Sequence, residues 1–147
     1  MRVLITGDIA VRGTIRLIEE RGEELGKAFS NGFMRKARAL KEQELPHIDD
    51  GISHIEIGEG GITQALWDLA EREKTGLRIF LDEVPIKQET IEICNLLDVD
   101  PYTLESYGSV LCFVPEGKDA EGIEVGYTVN DKKRLLKYGD IERYLRV

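Results

Sequence analysis

The sequence has few cysteines, histidines and prolines, and it has no long apolar run. Of 147 residues, two are cysteine, two are histidine and four are proline. No stretch approaches the roughly 18 apolar residues that a membrane-spanning helix needs, so we expect no membrane partner. The opening segment MRVLITGDIA contains too short an apolar run for a signal peptide, and it is typical of a strand.

The two cysteines, Cys94 and Cys112, stand in the apolar stretches EICNLL and VLCFV. This setting is typical of buried, reduced thiols, and neither cysteine has a neighbouring residue that suggests a zinc site. We therefore expect a cytoplasmic protein.

Basic charge is scarce as well. The chain has 20 Lys and Arg against 28 Asp and Glu, which gives a net charge of −8 and a pI near 4.9. A sequence-independent nucleic-acid binder needs a basic stripe that displaces counterions, so we expect no nucleic-acid partner. With 41% hydrophobic and 33% charged residues, the composition is that of a globular chain long enough to bury a core.

Apolar periodicity predicts strands and helices in an irregular order. Strand patterns occupy 1–6, 53–57, 77–81, 109–114 and 123–129, with a further one at 133–138. Helical patterns occupy 14–26, 31–44, 62–73 and 87–97. Because β-α-β alternation is not strict, we predict the α+β class: a two-layer sandwich with a mixed β-sheet and helices packed on one face, forming a single domain over residues 1–147.

Two glycine-bearing loops each follow a strand and precede a helix: GDIAVRG at 7–13 and GEGG at 58–61. The first N–H groups of a helix lack intrahelical partners, and the helix dipole adds partial positive charge there. Glycines would let a phosphate approach these donors, and Arg12 would add a cation. The candidate phosphate-binding residues are therefore Gly7, Arg12, Gly13, Gly58, Glu59, Gly60 and Gly61.

An alternative explanation of these loops is structural. Glycines also allow tight turns and close packing of a helix on a sheet, and neither loop matches a P-loop or a dinucleotide-binding fingerprint. Glu59 places a carboxylate inside the second loop, which opposes anion binding.

An acidic cluster raises the separate question of a metal site. Asp49, Asp50, His54, Glu56 and Glu59 offer oxygen and nitrogen ligands, and Mg²⁺ prefers the oxygens. Along a strand, however, His54 and Glu56 face one side and Glu59 lies beyond the strand end. We expect a solvated acidic edge and no metal site. No serine or cysteine nucleophile motif is present, so the residues alone name no catalytic group.

Several segments resemble one superfamily. GEGGITQALWDLAE (58–71), VPIKQETIEICNLLDVDPY (84–102) and YGSVLCFVPEG (107–117) are similar to the C-terminal domain of the aminoimidazole ribonucleotide (AIR) synthase superfamily. The segment VLITGDIAVRGTIRLI (3–18) fits the beginning of that domain. The superfamily includes AIR synthase, formylglycinamide ribonucleotide amidotransferase, selenophosphate synthetase, thiamine monophosphate kinase and the hydrogenase-maturation carbamoyl dehydratase.

This resemblance implies part of an ATP-using enzyme. In such relatives an N-terminal domain dimerises and supplies most of the ATP and Mg²⁺ site, while the C-terminal domain closes over it. Gly60 and Gly61 match the Gly-Gly pair that lines the cleft, and Gly7, Arg12 and Gly13 match the first loop. The implied partners are a small anionic ligand or nucleotide, an ATP-binding domain outside these residues, and a second copy in a homodimer. ATP and Mg²⁺ would be bound through the N-terminal domain, and the isolated chain would carry no cofactor.

The sequence also departs from the hydrogenase-maturation pattern. Residues 56–61 replace Asp-Pro-Thr-Arg-Gly-Gly, and Ala10, Val11 and Arg12 replace Gly-Asp-His in the first loop. The C-terminal cysteine of that pattern is replaced by the ending IERYLRV. We therefore predict a phosphate-binding or ligand-binding domain of a purine-biosynthesis or hydrogenase-maturation type of enzyme, inactive without its ATP-binding domain. The alternative is a non-catalytic binding or assembly module that retains the fold.

Overall fold

The structure is a computed structural model, and it describes residues 1–130. The strands are β1 (Arg2–Thr6), β2 (Ser53–Glu56), β3 (Gly76–Ile79), β4 (Val110–Val114) and β5 (Ile123–Val129). The helices are α1 (Val11–Ala28), α2 (Asn31–Arg38), α3 (Gly61–Arg72) and α4 (Gln88–Leu97), with a 3₁₀ turn at Leu81–Glu83. The predicted α+β class is confirmed. No helix within residues 1–130 combines the length and apolarity needed to cross a membrane.

The five strands form one sheet in the order β2-β4-β1-β5-β3, and all four pairings are antiparallel. The prediction of a mixed sheet is therefore wrong. Strands β1, β2 and β3 do run in one direction, as helical connections between strands suggest. Strand β4 lies between β2 and β1, and β5 lies between β1 and β3, so each strand of the described chain has only antiparallel neighbours.

One face of the sheet packs on the helices, as predicted. Its buried residues include Val3, Ile5, Leu111 and Phe113, each fully inaccessible to solvent. Helix α3 packs on this face through an apolar stripe at three- and four-residue spacing, and the stripe is buried: Ile62, Ala65, Leu66, Leu69 and Ala70. Burial of such a stripe holds an amphipathic helix on a sheet, since helix propensity alone contributes little.

The opposite face carries a smaller cluster, in which loop residues cover the middle of the sheet. Leu4, Val110, Cys112 and Val114 pack there with Ile52. Towards the β5–β3 side this face opens to solvent, where Phe80 and Tyr127 are 39% and 43% exposed and their rings lie 6.3 Å apart.

Three predicted elements differ from the structure by two or more residues at an end. Helix α1 begins at Val11, after Ala10 in a left-handed conformation (φ 61°), and it is kinked at Arg21. Strand β3 ends at Ile79 because the 3₁₀ turn follows. Helix α2 ends at Arg38, where residues 31–44 are predicted to be helical, and Gln43 hydrogen-bonds the backbone of Asp8 in place of a helical partner.

Apolar residues alternate along β5 in the sequence (Ile123, Val125, Tyr127 and Val129), but a β-bulge breaks this alternation in the structure. Val3 pairs with Gly126 and Leu4 pairs with Glu124, which leaves Val125 as the extra residue. Val125 is consequently buried, whereas Ile123 is 49% exposed. The predicted strand at 133–138 lies outside the described residues.

Helix α1 provides a simple test of local stability. Gly26 is exposed, and no atom lies within 4 Å of the position that its Cβ would occupy. Glycine disfavours a helix by about 1 kcal/mol relative to alanine, and less near a helix end. We expect Gly26→Ala to raise the free energy of unfolding in urea by about 0.5 kcal/mol. An unchanged or lower value would contradict helical structure at this position.

Candidate functional site

The two glycine loops lie at the same edge of the sheet. Strands β1 and β2 flank β4 and run in one direction, and their last residues, Thr6 and Glu56, both pair with Val110. The loops 7–13 and 58–61 follow these ends directly. The structure thus brings together the two loops that the sequence singled out.

The segment Tyr102–Ser109, which we call the bridging segment, runs between these loops and connects them. The N–H of Ser106 donates to the carbonyl oxygen of Gly58 over 3.1 Å. On the other side, the Ser106 hydroxyl oxygen accepts from the N–H of Ala10 over 2.8 Å, and its carbonyl oxygen accepts from Arg12. Ser106 therefore fixes the position of one loop relative to the other.

Tyr107, the residue after Ser106, lies against both loops. Its N–H donates to the carbonyl oxygen of Ile57 over 2.8 Å, and its ring edge lies 3.7 Å from where a Cβ of Gly58 would be. The Arg12 guanidinium carbon lies 4.8 Å from the centre of the same ring, within cation–π distance. The aromatic ring therefore separates Arg12 from the GEGG loop and restricts the position of both.

The space left by two of the glycines is occupied by the bridging segment. A Cβ on Gly61, whose φ is +73°, would overlap the carbonyl oxygen of Tyr102 and lie 2.7 Å from the carbonyl carbon of Thr103. A Cβ on Gly13 would overlap the branched end of Leu104. At these two positions the absence of a Cβ accommodates the bridging segment, where the structural alternative expected packing of a helix on the sheet.

Several amides at the two helix starts are already paired within the chain. The N–H of Gly13 donates to the carbonyl oxygen of Glu105 over 3.0 Å, and that of Thr63 donates to Tyr102 over 3.1 Å. The N–H of Arg12 donates to the carbonyl oxygen of Ser106. A ligand at this edge therefore has to bind through other groups, because these donors are satisfied.

The remaining predicted residues lie at the rim of the edge. Gly7 (φ +88°) is exposed and approaches the Gly108 carbonyl oxygen, to which a Cβ would lie 3.1 Å away. Gly60 precedes α3, and a Cβ there would meet the side chain of Gln64 at 2.5 Å. Glu59 is exposed to solvent.

Charges around the first loop are balanced in pairs. The Arg12 guanidinium forms an ion pair with Glu42, and both side chains are about half exposed. The Asp8 carboxylate lies 3.3 Å from the Lys87 ammonium group. Arg12 is the cation that the sequence indicated, but its charge is neutralised by a residue that the sequence did not indicate.

A buried hydroxyl without a partner lies beneath the first loop. Ser109 is fully buried, and within residues 1–130 its Oγ makes no hydrogen bond. Its Cβ is 3.2 Å from the position that a Gly7 Cβ would occupy, so the side chain lies directly against the loop. Buried polar groups are almost always paired, so this hydroxyl is an exception among the residues that the structure describes.

Sequence reasoning missed Gln43, Ser106, Tyr107 and Ser109. A local signal existed for three of them, because ESYGS places polar and aromatic residues directly before a buried strand. Tyr107 and Gly108 both adopt left-handed backbone (φ 57° and 74°), which a Tyr-Gly pair at a strand start could have indicated. Gln43 carried no signal, since its role depends on a tertiary contact.

The acidic cluster does not converge. His54 and Glu56 are exposed on β2, and the His54 Nδ1 lies 2.8 Å from the Ile52 carbonyl oxygen. Among residues 1–130, no group of three or more histidine, cysteine, aspartate or glutamate side chains is arranged to hold a metal ion.

Two grooves lie away from the glycine loops. One, of about 1020 Å³, runs between α1 and α2 beside the kink at Arg21. The other, of about 750 Å³, lies on the opposite sheet face beside Ile52 and Cys112. Neither is lined by a residue of loops 7–13 or 58–61.

The two cysteines are buried and free, and burial raises the pKa of each thiol to about 11. Asp100 also raises the pKa of Cys94.

We expect both thiols to react very slowly with a disulfide reagent at pH 8 in the folded protein and rapidly in urea. Because the folded pKa is raised, the folded state binds the two thiol protons more tightly than the unfolded state does. The stabilisation that results is fully present below pH 9 and is lost as pH rises towards 11. Rapid native reaction would contradict the burial.

Comparison with known proteins decides the family. The sequence model described as "AIR synthase related protein, C-terminal domain" matches residues 1–125. The chain belongs to this family.

Similar proteins include enzymes of hydrogenase maturation. The chain is 26% identical to a Methanocaldococcus jannaschii protein described as a hydrogenase expression/formation protein, over 91% of this chain and 44% of that protein. It is 28% identical to the carbamoyl dehydratase HypE of Rhizobium leguminosarum bv. viciae, over 80% of this chain and 34% of that enzyme.

A solved structure of HypE in complex with ATP has the same fold, with a TM-score of 0.64 and 19% identity over 86% of this chain. The present chain covers 42% of that structure. It therefore spans less than half the length of each of these three proteins.

Proposed function

We propose that this chain is a single domain that binds an anionic ligand or nucleotide phosphate within an ATP-dependent, AIR synthase-related enzyme. The reaction would be of the hydrogenase-maturation or purine-biosynthesis type, and the isolated chain would be inactive. The observation that carries the proposal is the convergence of two glycine loops at one sheet edge, with the Arg12 cation in the first loop against the Tyr107 ring.

The similar proteins support a nucleotide in the complete enzyme. HypE has been solved with ATP, and the chain matches only part of its length. ATP with Mg²⁺ would be held mainly by the part of such an enzyme that this chain does not cover. The glycine-loop edge would then contact the phosphates or the substrate from the other side.

Within the chain, we assign the contact to the rim of the edge. Arg12 supplies the cation, and charge-assisted hydrogen bonds from guanidinium to phosphate are among the stronger polar contacts. Gly7 and the exposed part of the GEGG loop, Glu59–Gly60, lie at this rim and would face the ligand.

The test is calorimetric titration of the purified chain with Mg·ATP and with inorganic phosphate. We expect saturable binding that Arg12→Gln weakens by roughly 10- to 100-fold, the value of one charge-assisted contact. Arg35→Gln is the control, because Arg35 is an exposed arginine on α2, away from the loops. Equal affinities for all three proteins would contradict the assignment of Arg12.

A second candidate function is a non-catalytic binding or assembly module. The internal pairing of the Gly13 and Thr63 amides, together with the carboxylate of Glu59, favours it. In this case neither ligand would bind in the calorimeter at millimolar concentration, while the fold and the partner surfaces would be intact.

Self-association and a cytoplasmic location are part of the proposal. Phe80 and Tyr127 form an exposed apolar area near edge strand β3, and exposed apolar surfaces commonly mediate dimers. We expect light scattering after size exclusion to give about twice the 16.6 kDa chain mass. Tyr127→Lys should give the single-chain mass; a single-chain mass for the unaltered chain would contradict the dimer.

The proposed cytoplasmic location is supported by the buried free thiols, which fit a reducing compartment.

A further inference from the structure

The segment Lys41–Leu45, which we call the strap, lies across the first glycine loop without regular secondary structure. The Gln43 side-chain oxygen accepts from the N–H of Asp8 over 2.7 Å, and its side-chain nitrogen donates to the Asp8 carbonyl oxygen over 2.8 Å. The next residue towards the N-terminus, Glu42, forms the ion pair with Arg12. Two consecutive strap residues thus contact both ends of the loop.

Gly108 makes room for this contact. A Cβ there would lie 2.5 Å from the Gln43 carbonyl oxygen and 2.8 Å from the Gln43 Cβ, and the Gly108 φ is +74°. The bridging segment therefore has a glycine at the position where the strap backbone approaches it. The strap is seated against the site through backbone as well as side-chain contacts.

The groups that the strap presents are those of an anionic ligand. Glu42 places a carboxylate on Arg12, and Gln43 places an oxygen acceptor on the Asp8 N–H. We propose that Lys41–Leu45 is an autoinhibitory strap that occupies the ligand position on the first loop and is displaced when a phosphate-bearing ligand binds. This inference rests on the proposed function, since it assumes that the edge binds an anion.

The contacts of the strap are weak enough to be displaced. The Arg12–Glu42 pair is 46% and 54% exposed, and exposed ion pairs contribute little. Leu45 is 60% exposed, so the apolar side chain of the strap is not anchored in the core. Two neutral hydrogen bonds to Asp8 provide most of the specific attachment.

The experiment compares the unaltered chain with the double variant Glu42→Gln, Gln43→Ala by calorimetric titration. Inorganic phosphate and Mg·ATP are titrated separately, which distinguishes recognition of phosphate alone from recognition of a nucleotide. We expect the double variant to bind roughly tenfold more tightly, because the fraction of open sites rises. Glu44→Gln is the control: it removes the same charge from the strap without a contact to the loop.

A second measurement needs no ligand. Hydrogen exchange at the Asp8 amide should be at least roughly tenfold faster in the double variant, with an unchanged urea midpoint, because Gln43 protects this N–H locally. Unchanged exchange would overturn the strap contact itself.

The outcomes separate the two proposals. Tighter binding in the double variant supports both, and equal binding in all variants overturns the strap while leaving the proposed function intact. Faster Asp8 exchange with no binding in any variant overturns both, since an opened edge would then attract no anion.

Discussion

Replacing Gly61 with alanine is expected to lower the free energy of unfolding by about 3 kcal/mol. Gly61 has a φ of +73°, which disfavours any residue with a Cβ, and the added atom would overlap backbone atoms of Tyr102 and Thr103. Backbone atoms cannot move aside as a flexible side chain can, so either α3 or the bridging segment must shift. Urea denaturation followed by circular dichroism measures the change.

Gly117→Ala is the matched control for this substitution. Gly117 also has a left-handed backbone, with a φ of +82°, but nothing lies within 4 Å of its Cβ position. Only the conformational penalty of about 1 kcal/mol should appear there. Similar losses for both variants would show that the bridging segment does not pack against Gly61 as described.

The second large effect is expected at the contact between α1 and the bridging segment. Leu104 is 7% exposed and its branched end fills the space beside Gly13. Leu104→Ala should lower the free energy of unfolding by about 3 kcal/mol, because a buried leucine is lost and a cavity remains. Gly13→Ala alone should be destabilising by about 1 kcal/mol, since overpacking outweighs the gain in helix propensity.

The double variant Gly13→Ala, Leu104→Ala tests whether these residues share one space. The alanine at 13 would then enter the cavity left at 104, so the combined loss should be smaller than the sum by about 1 kcal/mol. Strict additivity would contradict direct packing between the two positions.

The sequence predicted the elements of the fold better than their arrangement. The stripe from Ile62 to Ala70 predicted α3 because helical periodicity is local and repeats over three turns. The pairing of β1 with β4 and β5 was not predictable from local patterns, because it depends on strands more than 100 residues apart in the chain. The bulge at Val125 and the early end of α2 similarly depend on tertiary contacts.

At the site, the sequence located the loops but not what fills them. The glycines indicated close approach, and the structure identifies the approaching groups at Gly13 and Gly61 as Leu104 and the backbone of the bridging segment. The space that a glycine leaves can be occupied by a ligand or by another part of the chain, and only the tertiary structure distinguishes these two cases. Arg12 was found because a charge beside a glycine loop is visible in the sequence, whereas its partner Glu42 is 30 positions away.

The most direct test of ligand binding at the glycine-loop edge is an amide-resolved NMR titration of the ¹⁵N-labelled chain. Mg·ATP, inorganic phosphate and a ribonucleotide monophosphate are added in turn. We predict that the amides of Gly7, Arg12, Gly13 and Gly58–Gly61 shift together and saturate, with the amide of Asp8 following as the strap is released. Amides that stay unchanged at millimolar ligand, or shifts confined to the groove between α1 and α2, would contradict this account.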